Sequence, residues 1–151
     1  IDASALRQES VANCRRSMER AGRSWSALEK FIATSEEAND CAEQVKSARA
    51  TLKTLDDQAW LQALGLSSRE GYCRYLTTTG GKCPKGDDAG ERGGEKSDSA
   101  LAAIAWFDLL RESLLPSNRD RKCQILGQVQ VDSLPEKLKA IAGQRIEREC
   151  A

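Results

Sequence analysis

The sequence predicts an all-α protein in which a long antiparallel helical hairpin packs with several shorter helices and is cross-linked by disulfides. Three observations support this fold class: two runs of apolar residues at helical spacing, repeated helix-capping pairs, and six cysteines in a chain without histidine. At 151 residues the chain has the size of one domain with a core of its own. We therefore expect a single helical domain over residues 1–151.

The hairpin is predicted from apolar or small residues that recur at alternating steps of three and four, which places them on one side of an α-helix. Thr34 and Glu37 match a capping box, so we expect a turn near Thr34 between two long helices. The first run comprises Val11, Cys14, Met18, Ala21, Trp25, Leu28 and Ile32, and the second comprises Ala38, Cys41, Val45, Ala48, Leu52 and Leu55.

Shorter helices are predicted beyond the hairpin because residues that start and stop helices recur at short intervals. Asp56 or Asp57 can cap a helix that ends at Gly65, and Ser67 with Glu70 forms a second capping box. Further helix starts are predicted at Ser97 or Asp98, at Ser117, and at Ser133 with Glu136.

One loop, at about residues 80–98, is rich in glycine and charge. It is not a phosphate loop, because Gly81–Cys83 lacks the Ser or Thr that must follow the lysine. It is not a calcium loop starting at Asp87, because Arg92 stands where glycine is required. We expect a mobile, solvated connection, and the alternative is a recognition loop.

The cysteines indicate disulfides and export. An even set without a C-x-x-C pair, in a chain without histidine, does not resemble a zinc or thioredoxin-like site. We expect three disulfides formed in the bacterial periplasm, outside the cell or at its surface, after removal of a signal peptide. The alternative is six buried thiols in a cytosolic protein. The cysteines are Cys14, Cys41, Cys73, Cys83, Cys123 and Cys150.

Helix geometry limits which cysteines are expected to pair. If the hairpin turns near Thr34, Cys14 lies level with a residue far beyond Cys41, so the two should not meet. The same argument separates Cys123 from Cys150. Bridges between different helical elements are therefore expected among these four cysteines.

Cys73 and Cys83 are close in sequence, on either side of the start of the glycine-rich loop. They are candidates for closing a small loop. Six cysteines allow fifteen connectivities, and the sequence does not select one of them.

Charge and residue content exclude several classes of function. The 23 basic and 23 acidic residues cancel, so nothing attracts nucleic acid or an anionic membrane over a long range. The most apolar stretch, Ala100–Leu110, contains Asp108 and is too short to cross a bilayer. No metal or other cofactor is expected, and the oligomeric state is left open.

Catalysis would have to use carboxylates, because the chain has no histidine and disulfide-bonded cysteines are not nucleophiles. Asp108, beside Trp106 and Phe107, is the one candidate general acid. The alternative is a polar residue on the solvent side of a helix, or one bonded to an arginine. No catalytic residue is therefore assigned.

The predicted function is binding of another protein, as an inhibitor, immunity factor, adaptor or surface receptor. The expected contact residues are Trp60 and Tyr72, near Gly65, whereas Trp25 is expected in the core of the hairpin. One alternative is a secreted carboxylate-dependent hydrolase that acts on polysaccharide. A second is a structural coiled-coil dimer built on the first hairpin.

Thiol labelling of the denatured, unreduced protein is expected to leave all six cysteines unmodified, because even cysteine sets in exported chains are usually fully oxidised. A sample reduced beforehand is the control and should be labelled at every cysteine. Labelling of most cysteines without reduction would contradict the disulfides and the argument for export.

Overall fold

The computed structural model describes residues 2–84 and 94–151, and these residues form α-helices, short 3-10 helices and loops without a β-strand. The predicted all-α class is therefore confirmed. Residues 85–93, nearly half of the glycine-rich loop that is expected to be mobile, lie outside the described residues. The α-helices are α1 (Ala3–Ala21), α2 (Trp25–Ser35), α3 (Ala42–Leu66), α4 (Arg69–Thr78), α5 (Glu95–Ser113), α6 (Lys122–Leu126) and α7 (Glu136–Glu149), and the 3-10 helices are Asn39–Cys41, Pro116–Arg121 and Val131–Ser133.

The chain divides into two compact units, Ile1–Gln58 and Ala59–Ala151. Each has a cluster of buried side chains, and the first contains one disulfide and the second contains two. Helix α3 begins in the first unit and ends in the second. The expectation of a single domain stays a prediction.

The first arm of the predicted hairpin is two helices rather than one. Gly22 has a φ of 58°, and its N–H donates to the carbonyls of Met18 and Glu19, which closes α1. Ser24 then caps α2 by accepting a hydrogen bond from the N–H of Ala27. The apolar spacing continues across this break, so the pattern alone conceals it.

The predicted capping box at Thr34 and Glu37 is also wrong. Helix α2 continues to Ser35, and the Thr34 hydroxyl donates back to the carbonyls of Lys30 and Phe31. This use of a threonine hydroxyl inside a helix competes with capping. The next helical turn begins only at Asn39–Cys41.

The core of the first unit is small and is built around a disulfide. Trp25, expected here, is only partly buried, and its indole N–H donates to the Glu29 carboxylate. The buried residues are Cys14, Ala21, Leu28, Phe31, Cys41, Val45 and Ala48.

Cys14 and Cys41 are disulfide-bonded, with Cα atoms 5.5 Å apart, so the prediction that they cannot pair is wrong. The error follows from the missed turn at Gly22. Cys14 lies about 12 Å before that turn at the helical rise, and α2 carries the chain back past the same level. The chain then turns again before Cys41. Cys41 therefore reaches Cys14 after two reversals of the chain, whereas the predicted hairpin has only one.

In the second unit, α4 packs against α5, and α5 contacts α6. The large aromatic residues in this core are Trp106, Tyr72 and Tyr75. Its buried residues are Ala63, Tyr72, Tyr75, Leu76, Ala100, Ala103, Ile104, Trp106, Leu126, Val129, Leu134, Leu138 and Ala142.

The predicted boundaries around Gly65 shift in the structure. Asp56, Asp57 and Gly65 all lie inside α3, which runs on to Leu66. Ser67 ends the helix with a φ of 45°, and Ser68, one residue after the predicted cap, accepts the N–H of Gly71 to start α4.

Two disulfides cross-link the second unit. Cys73 and Cys83 are bonded, which confirms the small loop expected from the sequence. Cys123 and Cys150 are also bonded, with Cα atoms 4.9 Å apart, and this contradicts the prediction. Helix α6 already ends at Leu126, and the chain from there to α7 contains only a 3-10 turn. Non-α residues advance further per residue than helical ones, so this segment spans the length of α7.

Replacing Gly22 by alanine is expected to lower the free energy of unfolding by roughly 1–3 kcal/mol, because a Cβ strains this backbone conformation. Gly143→Ala is the matched control: it lies within α7, and a Cβ there would meet no atom within 4 Å. Its helix propensity should raise stability by about 0.5–1 kcal/mol. Denaturant unfolding followed by circular dichroism measures both changes, and equal effects of the two substitutions would contradict the assigned turn.

Candidate interaction site around Trp60

Trp60 lies near the end of α3 and is partly buried. Its ring meets Tyr75 edge-on, with centroids 5.0 Å apart and planes at 66°. A second contact joins it to Tyr72 at 5.9 Å in a tilted arrangement. Tilted and edge-on contacts are the favourable geometries for aromatic pairs. The indole is therefore held by the core on one side and remains partly open to solvent.

Tyr72, the second predicted contact residue, lies in the core and not on the surface. Its side chain is 1% exposed, so it has no area to offer a partner. Burial raises the pKa of Tyr72, and a hydrogen bond with Ser67 opposes this shift in part. Tyr72 instead contacts the ring of Trp60 from the core. Tyr75, Leu76 and Thr79 are also buried, and they follow Tyr72 at helical spacing. This pattern could have identified Tyr72 as a core residue from the sequence.

Leu61 and Leu64 complete an apolar surface with Trp60 that the sequence analysis missed. Leu61 is 68% exposed, and Leu64 is partly buried against the core. One turn beyond Leu61, Gly65 is exposed, and a Cβ placed there would meet no atom within 4 Å. Residues three and four apart are neighbours on a helix surface. We call Trp60, Leu61 and Leu64 the α3 ridge.

The α3 ridge lies in an uncharged part of the chain. No charged residue occurs from Ala59 to Ser68, although charged residues make up 30% of the sequence. Depletion of charge together with exposed aromatic and aliphatic groups characterises the centre of protein interfaces. A composition window over this stretch would have shown the signal, whereas the exposure of Leu61 required the structure.

Asp108 is bound by Arg69 at two points. The Arg69 Nε atom lies 2.6 Å from Oδ1, and Nη2 lies 3.3 Å from Oδ2. This hydrogen bond is the main reason that the pKa of Arg69 is raised. The arrangement is the non-catalytic alternative stated for Asp108, an acid bonded to an arginine.

Arg69 also contacts the Cys73–Cys83 loop. Its Nη1 atom lies 3.6 Å from the sulfur of Cys73 and 3.7 Å from that of Cys83, and Nη2 donates to the Pro84 carbonyl at 3.2 Å. One guanidinium therefore joins the start of α4 to α5 and to the disulfide loop. Its role in the structure is to connect these elements.

Burial of Tyr72 predicts a loss of stability at alkaline pH. An unfolded tyrosine ionises near its usual pKa of about 10. Because folding raises the pKa of Tyr72, its stabilising contribution is fully present below that pH and is lost as the pH rises through the folded value. In Tyr75→Phe, which leaves one of the two tyrosines, tyrosinate absorbance should appear only above about pH 10, together with loss of helical circular dichroism. Ionisation at the ordinary pKa with the helices intact would contradict the burial of Tyr72.

Within the described residues, no helix combines the length and apolar character needed to cross a bilayer. The same part of the chain contains no group of three or more cysteines or carboxylates placed to hold a metal ion. Comparisons with protein families, with curated proteins and with solved structures find no match to this chain.

Proposed function

We propose that this protein binds another protein through the α3 ridge and has no catalytic activity of its own. The proposal rests on the exposure of Leu61, whose side chain is 68% exposed. It lies beside Trp60, whose ring contacts two buried tyrosines. Both Leu61 and Trp60 lie in a stretch without charge.

Physical arguments favour a partner over solvent at this surface. Burying a leucine side chain contributes about 1.5–3 kcal/mol, so an exposed one is a large unused contribution to binding. Trp60 is already restrained by its contacts with Tyr72 and Tyr75. A restrained aromatic loses little conformational entropy on association, which is what a binding hot spot requires. The matching surface on the partner is an uncharged apolar pocket.

The disulfides support a setting for this binding outside the cytosol. Disulfides persist mainly in oxidising compartments such as the periplasm or the cell exterior. An exported binding protein with a cross-linked frame fits the work of an inhibitor, an immunity factor, an adaptor or a surface receptor. A preformed surface suits all four, because it loses little conformational entropy on binding.

The two alternatives draw less support. A polysaccharide hydrolase would need Asp108 as a general acid, and both of its carboxylate oxygens already accept hydrogen bonds from Arg69. A coiled-coil dimer would need the long first arm of the hairpin, which Gly22 interrupts.

Leu61→Asp is expected to abolish capture of the partner, because it places a charge at the centre of the apolar surface. The immobilised, oxidised protein is incubated with native extract, and bound proteins are identified by mass spectrometry. Ile141→Asp is the matched control: Ile141 is another exposed aliphatic residue, 48% accessible, and it lies on α7. Trp60→Ala should weaken binding of the captured partner by more than about 1 kcal/mol.

Circular dichroism of each variant separates loss of binding from loss of folding. The proposal fails if Leu61→Asp and Ile141→Asp retain the same captured proteins while both are folded. It also fails if a screen of glycan substrates reveals turnover that Asp108→Asn abolishes, in which case the hydrolase takes its place.

A further inference from the structure

A groove of about 400 Å³ lies between α1 and α2 in the first unit. We propose that it binds a small carboxylate that carries a short apolar body. Its volume is within the usual range of small-molecule sites, roughly 300–1,000 Å³. The lining residues are Ser17, Arg20, Ala21, Ala27, Lys30, Phe31, Thr34 and Ser35.

The charges of this groove select an anion. Arg20 and Lys30 are its charged lining residues, and no carboxylate lines it. Arg20 and Lys30 are both exposed, and among the described residues neither has an ion-pair partner within 4.0 Å.

The acids next to these cations in sequence do not neutralise the groove. Glu19 and Glu29 are absent from its lining, and the Glu29 carboxylate accepts the indole N–H of Trp25. The end of α1 is also locally basic in a chain of zero net charge. Between Cys14 and Ser24, one glutamate stands against four arginines, Arg15, Arg16, Arg20 and Arg23.

The carbonyl end of α1 opposes an anion, since helix C-termini carry partial negative charge. Here the N–H of Gly22 satisfies the carbonyls of Met18 and Glu19. The first turn of α2, which has the opposite partial charge, contributes Ala27 to the same groove. The last turn of α2 also lines the groove, through Thr34 and Ser35, and adds partial negative charge. The full charges of Arg20 and Lys30 exceed these partial charges and set the sign of the groove.

The floor of the groove selects a ligand with an apolar part. Phe31 and Ala21 are 6% and 9% exposed, so they form a fixed floor, and Ala27 leaves space beside them. Inorganic phosphate would leave this apolar floor unused. An arginine fork suits a carboxylate, because it can donate two parallel hydrogen bonds, and Lys30 adds a second charge.

Nuclear magnetic resonance titration of the isotope-labelled protein with hexanoate tests the proposal. Saturable shifts are expected at the amides of the groove, from Ser17 to Ala21 and from Ala27 to Ser35. Hexylammonium has the same apolar body and the opposite charge, and it should give no saturable shift there. Acetate has the same carboxylate and almost no apolar body, and it should bind at least about fivefold more weakly than hexanoate, since burial of a few further methylene groups adds more than this.

Substitutions separate the two parts of the proposed recognition. Arg20→Gln combined with Lys30→Gln should weaken hexanoate binding at least about fivefold, a typical effect of two partly solvated charges. Arg15→Gln combined with Arg23→Gln removes two charges from the same helix end outside the lining, and should change the affinity less than about twofold. Ala27→Leu fills the groove with the charges intact and should also weaken binding.

Three results would overturn the proposal. One is the absence of saturable shifts in the groove up to the solubility limit of hexanoate. Another is equal binding of hexanoate and hexylammonium, which would mean that the charges play no part. The third is equal binding of hexanoate and acetate, which would mean that the apolar floor plays none. Amide spectra of each variant confirm its fold before the affinities are compared.

Discussion

The Cys14–Cys41 disulfide supplies two of the seven buried residues in the core of the first unit. Its remaining buried side chains include three large apolar ones, Leu28, Phe31 and Val45, and the other two are Ala21 and Ala48. A unit of this size buries too little apolar area to be stable with a wide margin. The covalent bond offsets this shortage by restricting the unfolded chain. The second unit has thirteen buried core residues and two further disulfides.

In the second unit, α4 links the proposed binding surface to the cross-linked frame. One side of this short helix buries Tyr72 and Tyr75, on which the ring of Trp60 lies. Another side carries Arg69 and Cys73, which contact α5 and the disulfide loop. A rigid platform under a partly exposed tryptophan is what low-entropy recognition requires. The tyrosines that contact Trp60 and the residues that contact α5 and the disulfide loop thus lie on two faces of one helix of ten residues.

Helix content could be predicted from periodicity and capping residues, because both depend on local sequence. The backbone conformation of Gly22 could not, since glycine is also tolerated within helices at a modest cost. That one turn also made the prediction for Cys14 and Cys41 wrong, because pairing depends on where the chain reverses, and the early end of α6 did the same for Cys123 and Cys150. The burial of Tyr72 was readable from its spacing, whereas the exposure of Leu61 was not. Its helix segment, WLQALGL, is apolar on more than one side, so tertiary packing decides which side is covered.

Every disulfide joins a cysteine to the next cysteine along the chain, pairing Cys14 with Cys41, Cys73 with Cys83 and Cys123 with Cys150. Of the fifteen ways to pair six cysteines, this is the one that follows their order. If the thiols are oxidised in chain order, each second thiol joins the one that precedes it. No incorrect bond then has to be broken by thiol–disulfide exchange. Oxidation in chain order would therefore give this pairing without an isomerase.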